Sequence, residues 1–420
     1  MPDRDLFVGI DLGTSGARAI VIDGDGRVHG TAKAAMSDFG SNHRAPAIWW
    51  QAAEAALGGA LEGVERARVR AVAVDGTSGT MVPVDPRGVP LSDGLMYNDA
   101  CPDNAVLEAI ARHAPASSAA HGPTSGLARA ILFQRLRPAA ILHQADWIAF
   151  NLSGRFVSDA NNALKTGYDP VSAEWPRWIA ETGLDISLLP PVSEPGMPAG
   201  PITADAAAAF GLPSDTLLMA GTTDGCASFL ATGASEAGDG VSALGTTLTI
   251  KILSDKPIFA PEYGIYSHRI LGKWLAGGAS NSGGAALLAH FTAEEMTALT
   301  PEIDPETDTG LDYYPLPKPG ERFPVADPLL APRTDPRPES RAEFLKALFE
   351  GVAGVEALAF RRLAELGAPP LRSVRSVGGG AQNPVWTRIR ERRLGVRMEA
   401  PQSSEAAFGA ALLAKAGAGA

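Results

Sequence analysis

Short apolar runs in this chain repeatedly end at an acid or a glycine turn. Residues 7–10 read as a buried strand, because Val8 and Ile10 suit a pleated surface. Asp11 follows, then the turn Gly13-Thr14-Ser15-Gly16, then a second strand over residues 17–22. Residues 71–74 repeat the pattern, ending at Asp75-Gly76-Thr77-Ser78-Gly79-Thr80, with a further strand over 81–84. Residues 217–220 form another strand, followed by Gly221-Thr222-Thr223-Asp224 and a small-residue helix over 227–232. Helical patterns cover 45–61, with Trp49 as a core residue, and 106–113. Residues 130–150 read as helical with a break near Pro138. Phe344, Leu345, Leu348, Val352, Val355 and Leu358 predict a long helix that stops at Gly367 before Pro369. A strand over 371–377, the run Gly378-Gly379-Gly380 and a helix from Pro384 to Leu394 come next. A last helix is expected over 405–415, capped by Ser404.

Three stretches lie between these elements. Residues 190–201 read as a proline-rich surface turn, and 277–284 as a glycine-rich loop that opens a helix. Residues 161–168, with Asn161, Asn162 and Lys165, read either as the lining of a sugar site or as a solvated loop.

A second copy changes the picture. Gly245-Thr246-Thr247, followed by a strand over 248–253, falls in register with Gly13-Thr14-Ser15, 232 residues further on. A domain-length spacing points to a duplicated fold rather than a short-period array. Glycine lets backbone approach a ligand closely, so N–H groups and hydroxyls in such turns can wrap an anion. Asp11 beside them is placed to seat a magnesium ion through water. Each turn taken alone also reads as ordinary hairpin chemistry. Asp224, between a strand's end and a helix's start, reads either as an N-cap or as a general base. Strand, triple glycine and helix at 371–394 form a nucleotide-binding layout, but match neither GxGxxG with a distal acid nor GxxxxGK[ST].

Length and charge narrow the class. At 420 residues with 45% hydrophobic positions, two domains are expected. A net charge of −11 argues against binding nucleic acid or an anionic membrane. The two cysteines, Cys101 and Cys226, form no CxxC or disulfide framework, and the seven histidines show no zinc spacing. With no signal-peptide pattern after Asp3 and Arg4 and no bilayer-length apolar run, a cytoplasmic location is expected. The sequence is silent on oligomeric state.

Together these motifs resemble the FGGY carbohydrate kinases, within the two-domain actin, Hsp70 and hexokinase-like ATPases (a ribonuclease H-like α/β fold with an interdomain cleft). An acid-Gly-Thr hairpin, a second Gly-Thr hairpin and a Gly-Gly-Gly loop occur here in that superfamily's order. Asp75-Gly76-Thr77-Ser78-Gly79-Thr80, Tyr97-Asn98 and Asn162-Ala163-Leu164-Lys165 look like the short cyanobacterial and plant branch described as D-ribulose kinase or xylulose-kinase-like. True xylulokinases carry Met-His-Gly and Trp-x-Asp where this chain has Asp75-Gly76-Thr77-Ser78 and Tyr97-Asn98-Asp99.

The resemblance implies a sugar-binding domain over 1–231, a nucleotide-binding domain over 232–403, and a C-terminal helix over 404–420 with the option of packing back on the first. It implies ATP as co-substrate and Mg²⁺ held through water by Asp11. Asp224 matches the family's catalytic aspartate. Gly13, Thr14 and Ser15 would meet the γ-phosphate, Gly245, Thr246 and Thr247 the nucleotide's phosphates, and Gly379, Gly380 and Asn383 the adenosine. Ser78, with Asp11, Ser15 and Asp224, would bind the sugar. The implied reaction is phosphorylation of the terminal hydroxyl of a ketopentose, D-ribulose first. D-xylulose or another pentulose or polyol is the alternative acceptor. A nucleotide-driven switch with no sugar acceptor is the rival from another class.

Overall fold

The computed structural model describes residues 5–419; Asp3 and Arg4 lie outside the described residues. The chain divides into two compact units, residues 5–231 with 268–272 and 405–419, and residues 232–267 with 273–404.

We number the strands of the two large sheets in chain order. In the first unit they are β1 (Leu6–Leu12), β2 (Gly16–Asp23), β3 (Val28–Ala35), β4 (Val69–Gly76), β5 (Pro198–Pro201) and β6 (Leu217–Thr223). Their order is β3-β2-β1-β4-β6-β5. β1 and β2 form an antiparallel hairpin, whereas β1, β4 and β6 run parallel. Parallel strands covered on both faces need continuous apolar sequence, and every residue of β1 is buried. The helix Pro46–Ala60 supplies Trp49, buried in the same core as Val8, Ile10 and Val72. On β1, Gly9 admits the helix Ala406–Ala418: a Cβ there would fall 2.0 Å from the Ala407 carbonyl oxygen. Gly409 does the same toward Ala227, whose carbonyl oxygen would lie 1.8 Å from a Cβ. Glycine at these two points lets backbone meet backbone.

In the second unit the strands are β7 (Asp239–Leu244), β8 (Leu248–Ser254), β9 (Lys273–Ser280), β10 (Ser373–Val377) and β11 (Arg397–Glu399). They follow one another as β9-β8-β7-β10-β11. β7–β8 is an antiparallel hairpin, β9 extends it antiparallel, and β10 and β11 add on the other side in parallel. This repeats the β3-β2-β1-β4-β6 order of the first unit, so the duplication read from the two Gly-Thr turns is a duplication of strand topology. The helix Arg341–Glu365 covers this sheet with Phe344, Leu345, Leu348, Val352 and Val355 buried.

Four local expectations change. Residues 130–150 are not one broken helix: a strand, Ala140–His143, separates the helices Gly126–Gln134 and Gln144–Ser153. That strand pairs antiparallel with Met81–Val84, an interaction no local periodicity can show. Residues 190–201 hold two short strands, Val192–Ser193 and β5. Gly277 and Gly278 lie inside β9, where a Cβ on Gly277 would meet the Ile250 carbonyl oxygen at 2.1 Å. The last helix is preceded by Glu405 with no side-chain cap, so Ser404 is not its cap.

Candidate active site

In the first unit the site grows from the ends of three neighbouring parallel strands. Asp11 on β1 and Asp75 on β4 are direct register partners, and Asp75 in turn faces Thr222 on β6. Asp224 follows β6 and opens the helix Asp224–Ala231. Carboxylates at the carboxyl ends of adjacent parallel strands stand where open α/β sheets hold their ligands. Asp224 Oδ1 accepts from its neighbour's amide, Gly225, at 2.6 Å.

The electrostatics separate the three acids. Asp75 is 0% exposed, and no N–H or hydroxyl reaches either of its oxygens. Burial pushes its carboxyl well above the usual range, and the Asp11 charge and their mutual hydrogen bond push the same way. A hydrogen bond between two carboxyls needs one of them protonated, and the larger upward push on Asp75 favours it as the donor. Burial also raises Asp11, opposed by the hydrogen bond from Asp75 and by the Arg18 charge, while Asp224 adds to the rise. Arg18 Nη1 lies 3.9 Å from Asp11 Oδ2 and 3.2 Å from Glu405 Oε2.

The Gly13-Thr14-Ser15 turn closes through Gly13 N–H donating to the Gly16 carbonyl at 3.0 Å, and it leaves Thr14 and Ser15 exposed. Ser78 Oγ is buried without a partner. The structure thus brings Asp11, Asp75 and Asp224 together. Asp75 is the member that motif reading left out of the site. The signal was present, since Asp75 ends an apolar strand just as Asp11 does.

Arg129, 2% exposed, braces the polar loops of this unit. Its guanidinium donates to the carbonyls of Gly79, Thr124, Tyr97 and Asp99 at 3.0, 2.9, 2.6 and 3.0 Å. Residues 161–168 are buried apart from the exposed Lys165, so the segment is not a solvated loop. Asn161 is 0% exposed, and its amide donates to Thr222 Oγ1 and the Arg269 carbonyl. Asn162 Nδ2 donates to Asp159 Oδ2.

In the second unit the Gly245-Thr246-Thr247 turn is exposed over Gly245 and Thr246 and is tied down by Gly284 and Ala285 amides donating to the Gly245 and Thr246 carbonyls. Gly378 has φ +86°, and a Cβ there would meet the Leu244 carbonyl oxygen at 2.7 Å. Gly380 lies against Trp386, whose ring would stand 2.5 Å from a Cβ. The triple-glycine turn therefore packs on the end of β7, next to the Gly-Thr-Thr turn. Asn383 Oδ1 caps the helix Pro384–Leu394 by accepting from Trp386 N–H at 3.0 Å, and its Nδ2 donates to Thr300 Oγ1 at 3.0 Å.

Among the described residues no cluster of three His, Cys, Asp or Glu is arranged to hold a metal by itself. Magnesium binds through one or two carboxylates, waters and substrate phosphates rather than in an all-protein cage, and the Asp11–Asp224 pair fits that mode. No helix among the described residues is long and apolar enough to cross a membrane.

Two units with one repeated strand order, each carrying a glycine-hydroxyl hairpin turn, make a two-domain α/β fold, and it is the fold of solved sugar kinases. A xyloylose kinase from Brucella ovis superposes with a TM-score of 0.86 at 24% identity, over 99% of this chain and 91% of that one. A xylulose kinase from Rhodospirillum rubrum superposes with a TM-score of 0.81 at 24% identity, over 98% and 92%. Residues 240–418 match the C-terminal domain of the FGGY family of carbohydrate kinases. An autoinducer-2 kinase of Yersinia enterocolitica is 29% identical over 300 residues, which are 66% of this chain and 56% of that protein. The chain thus spans about half the length of the curated relatives it matches.

Proposed function

We propose that this protein is an ATP- and Mg²⁺-dependent kinase that phosphorylates the terminal hydroxyl of a ketopentose, D-ribulose first. The observation that carries the reading is the convergence of Asp11 and Asp224 beside the exposed Gly13-Thr14-Ser15 turn. A loose phosphoryl-transfer transition state needs positioning and charge neutralisation more than covalent help. Asp224 accepts the proton of the attacking hydroxyl. Asp11 holds water-bound magnesium, which when present neutralises phosphate charge. Gly13, Thr14 and Ser15 receive the γ-phosphate through N–H and hydroxyl donors. Gly245, Thr246 and Thr247 hold the remaining phosphates, and Gly379, Gly380 and Asn383 the adenosine. Ser78, whose buried hydroxyl has no protein partner, bonds the sugar together with Asp11, Ser15 and Asp224. A nucleotide switch has no use for a carboxylate aimed at an acceptor alcohol.

The named activities of the relatives leave several acceptors open: xylulose for the R. rubrum protein and autoinducer-2 for the Yersinia one. Asp75-Gly76-Thr77-Ser78 and Tyr97-Asn98 in place of the xylulokinase motifs favour ribulose over xylulose. An ADP-release assay across pentuloses, gluconate and autoinducer-2 tests this. D-ribulose is expected to give the highest kcat/KM. A higher value for D-xylulose overturns the substrate, and ATP turnover that ignores every acceptor overturns the kinase.

A further inference from the structure

The two glycine turns of the second unit share a buried support. Ser242 on β7 and Ser376 on β10 are register partners on adjacent parallel strands. Ser242 stands three residues before Gly245, and Ser376 two before Gly378. Behind them lies an ion pair from two helices, Glu356 on Arg341–Glu365 and Arg390 on Pro384–Leu394, both side chains 0% exposed. Arg390 is bidentate, with Nε 2.6 Å from Glu356 Oε2 and Nη2 2.7 Å from Oε1. Ser242 Oγ donates to the same Glu356 Oε1 at 2.5 Å, and Arg390 Nη1 donates to Ser376 Oγ at 2.9 Å.

A buried ion pair is a poor source of net stability, since desolvation offsets most of the attraction. A well-packed apolar pair would fill this space as well. What the pair adds is direction: each charged group spends one further hydrogen bond on one of two opposed serines, and on nothing else that belongs to a strand. Bidentate Arg–carboxylate geometry fixes both partners in angle as well as distance. We propose that Glu356 and Arg390 are positioning residues, which clamp the ends of β7 and β10 so that the turns 245–247 and 378–382 keep a fixed mutual register. As a role in nucleotide binding this rests on the function proposed above; as a restraint on the turns it does not.

Amide hydrogen exchange reads local opening directly. Arg390→Met with Glu356→Leu exchanges the pair for apolar groups and leaves no unpaired charge. This variant is expected to stay folded and to exchange at least tenfold faster across 245–247 and 378–382, with the helix Arg341–Glu365 unchanged. Ser242→Ala is expected to loosen only the first turn and Ser376→Ala only the second, a split that general destabilisation does not produce. Unchanged exchange in both turns in the serine variants, which keep the ion pair and fold, overturns the clamp. ATP affinity measured by calorimetry on the same proteins is expected to fall at least tenfold in the double variant. If the unmodified protein binds no ATP while the turns still loosen, the nucleotide reading fails and the clamp stands.

Discussion

Asp11 and Asp75 face each other across neighbouring parallel strands, and burial raises both carboxyls, Asp75 the further. A buried Asp75 that stays protonated would serve as a hydrogen-bond donor to Asp11, a role a carboxylic acid fills only when its surroundings forbid ionisation. Asp75→Asn keeps a donor of the same shape and is expected to fold normally and retain activity within tenfold. Asp75→Leu removes the donor and leaves Asp11 partly desolvated without it, at a cost of about 1–3 kcal/mol. Urea midpoints and phosphoryl-transfer rates for the two variants check this. Equal loss in both would mean that the donor role is absent.

Asp224 carries the proton-transfer step of the proposed reaction. Asp224→Asn conserves the oxygen that accepts from Gly225 N–H, so the fold is expected to persist. General-base contributions run to about 10²–10⁴-fold, and a kcat loss in that range is expected. Weak sugar and nucleotide binding should survive. A variant with full kcat would remove the base from the scheme.

Much of this was legible from residue patterns, for a physical reason. Strand ends, glycine turns and their duplication are local in sequence, so residues 7–16 and 241–247 announce both hairpins. What escaped depends on long-range pairing. The Ala140–His143 strand exists because Met81–Val84 lies beside it, and nothing within residues 138–145 separates it from helix. The Asn161 and Asn162 amides read as ligand groups or loop because their partners, Thr222, Arg269 and Asp159, lie partly in remote segments. Nothing in the sequence marks Arg129 or the Glu356–Arg390 pair as buried, since a single buried polar residue barely disturbs helical periodicity.

Arg129 joins three loops through four carbonyls, and no carboxylate bonds to its guanidinium. Burial lowers its pKa to about 10, which still leaves it charged at neutral pH. Arg129→Met abandons those carbonyls and is expected to cost about 2–4 kcal/mol, within the range for breaking a buried charged network. Because Tyr97 and Gly79 border the proposed sugar side, KM for the sugar should rise while KM for ATP holds. A variant whose two KM values move together would make Arg129 a general stabiliser only.

His143 is expected to weaken the fold in acid. It is 2% exposed at the end of the Ala140–His143 strand, and its Nδ1 has no partner. Burial, then the nearby Arg129 charge, pushes its pKa down to about 3. The unfolded chain titrates this group near 6.5. Between those values the unfolded state binds a proton that the folded state refuses, so stability is complete above about pH 6.5 and falls as pH drops toward 3. The slope from one such group approaches about 1.4 kcal/mol per pH unit. Asp146, whose carboxyl accepts from the His143 amide, is raised by its own burial and acts in the opposite sense, so the wild-type curve alone does not isolate the histidine. His143→Gln keeps a neutral polar side chain without a titrating ring. The difference in unfolding free energy between wild type and variant, followed from pH 7 to pH 4, is expected to swing toward the variant by several kcal/mol. A difference that stays constant across that range would mean the imidazole is protonated in the folded protein.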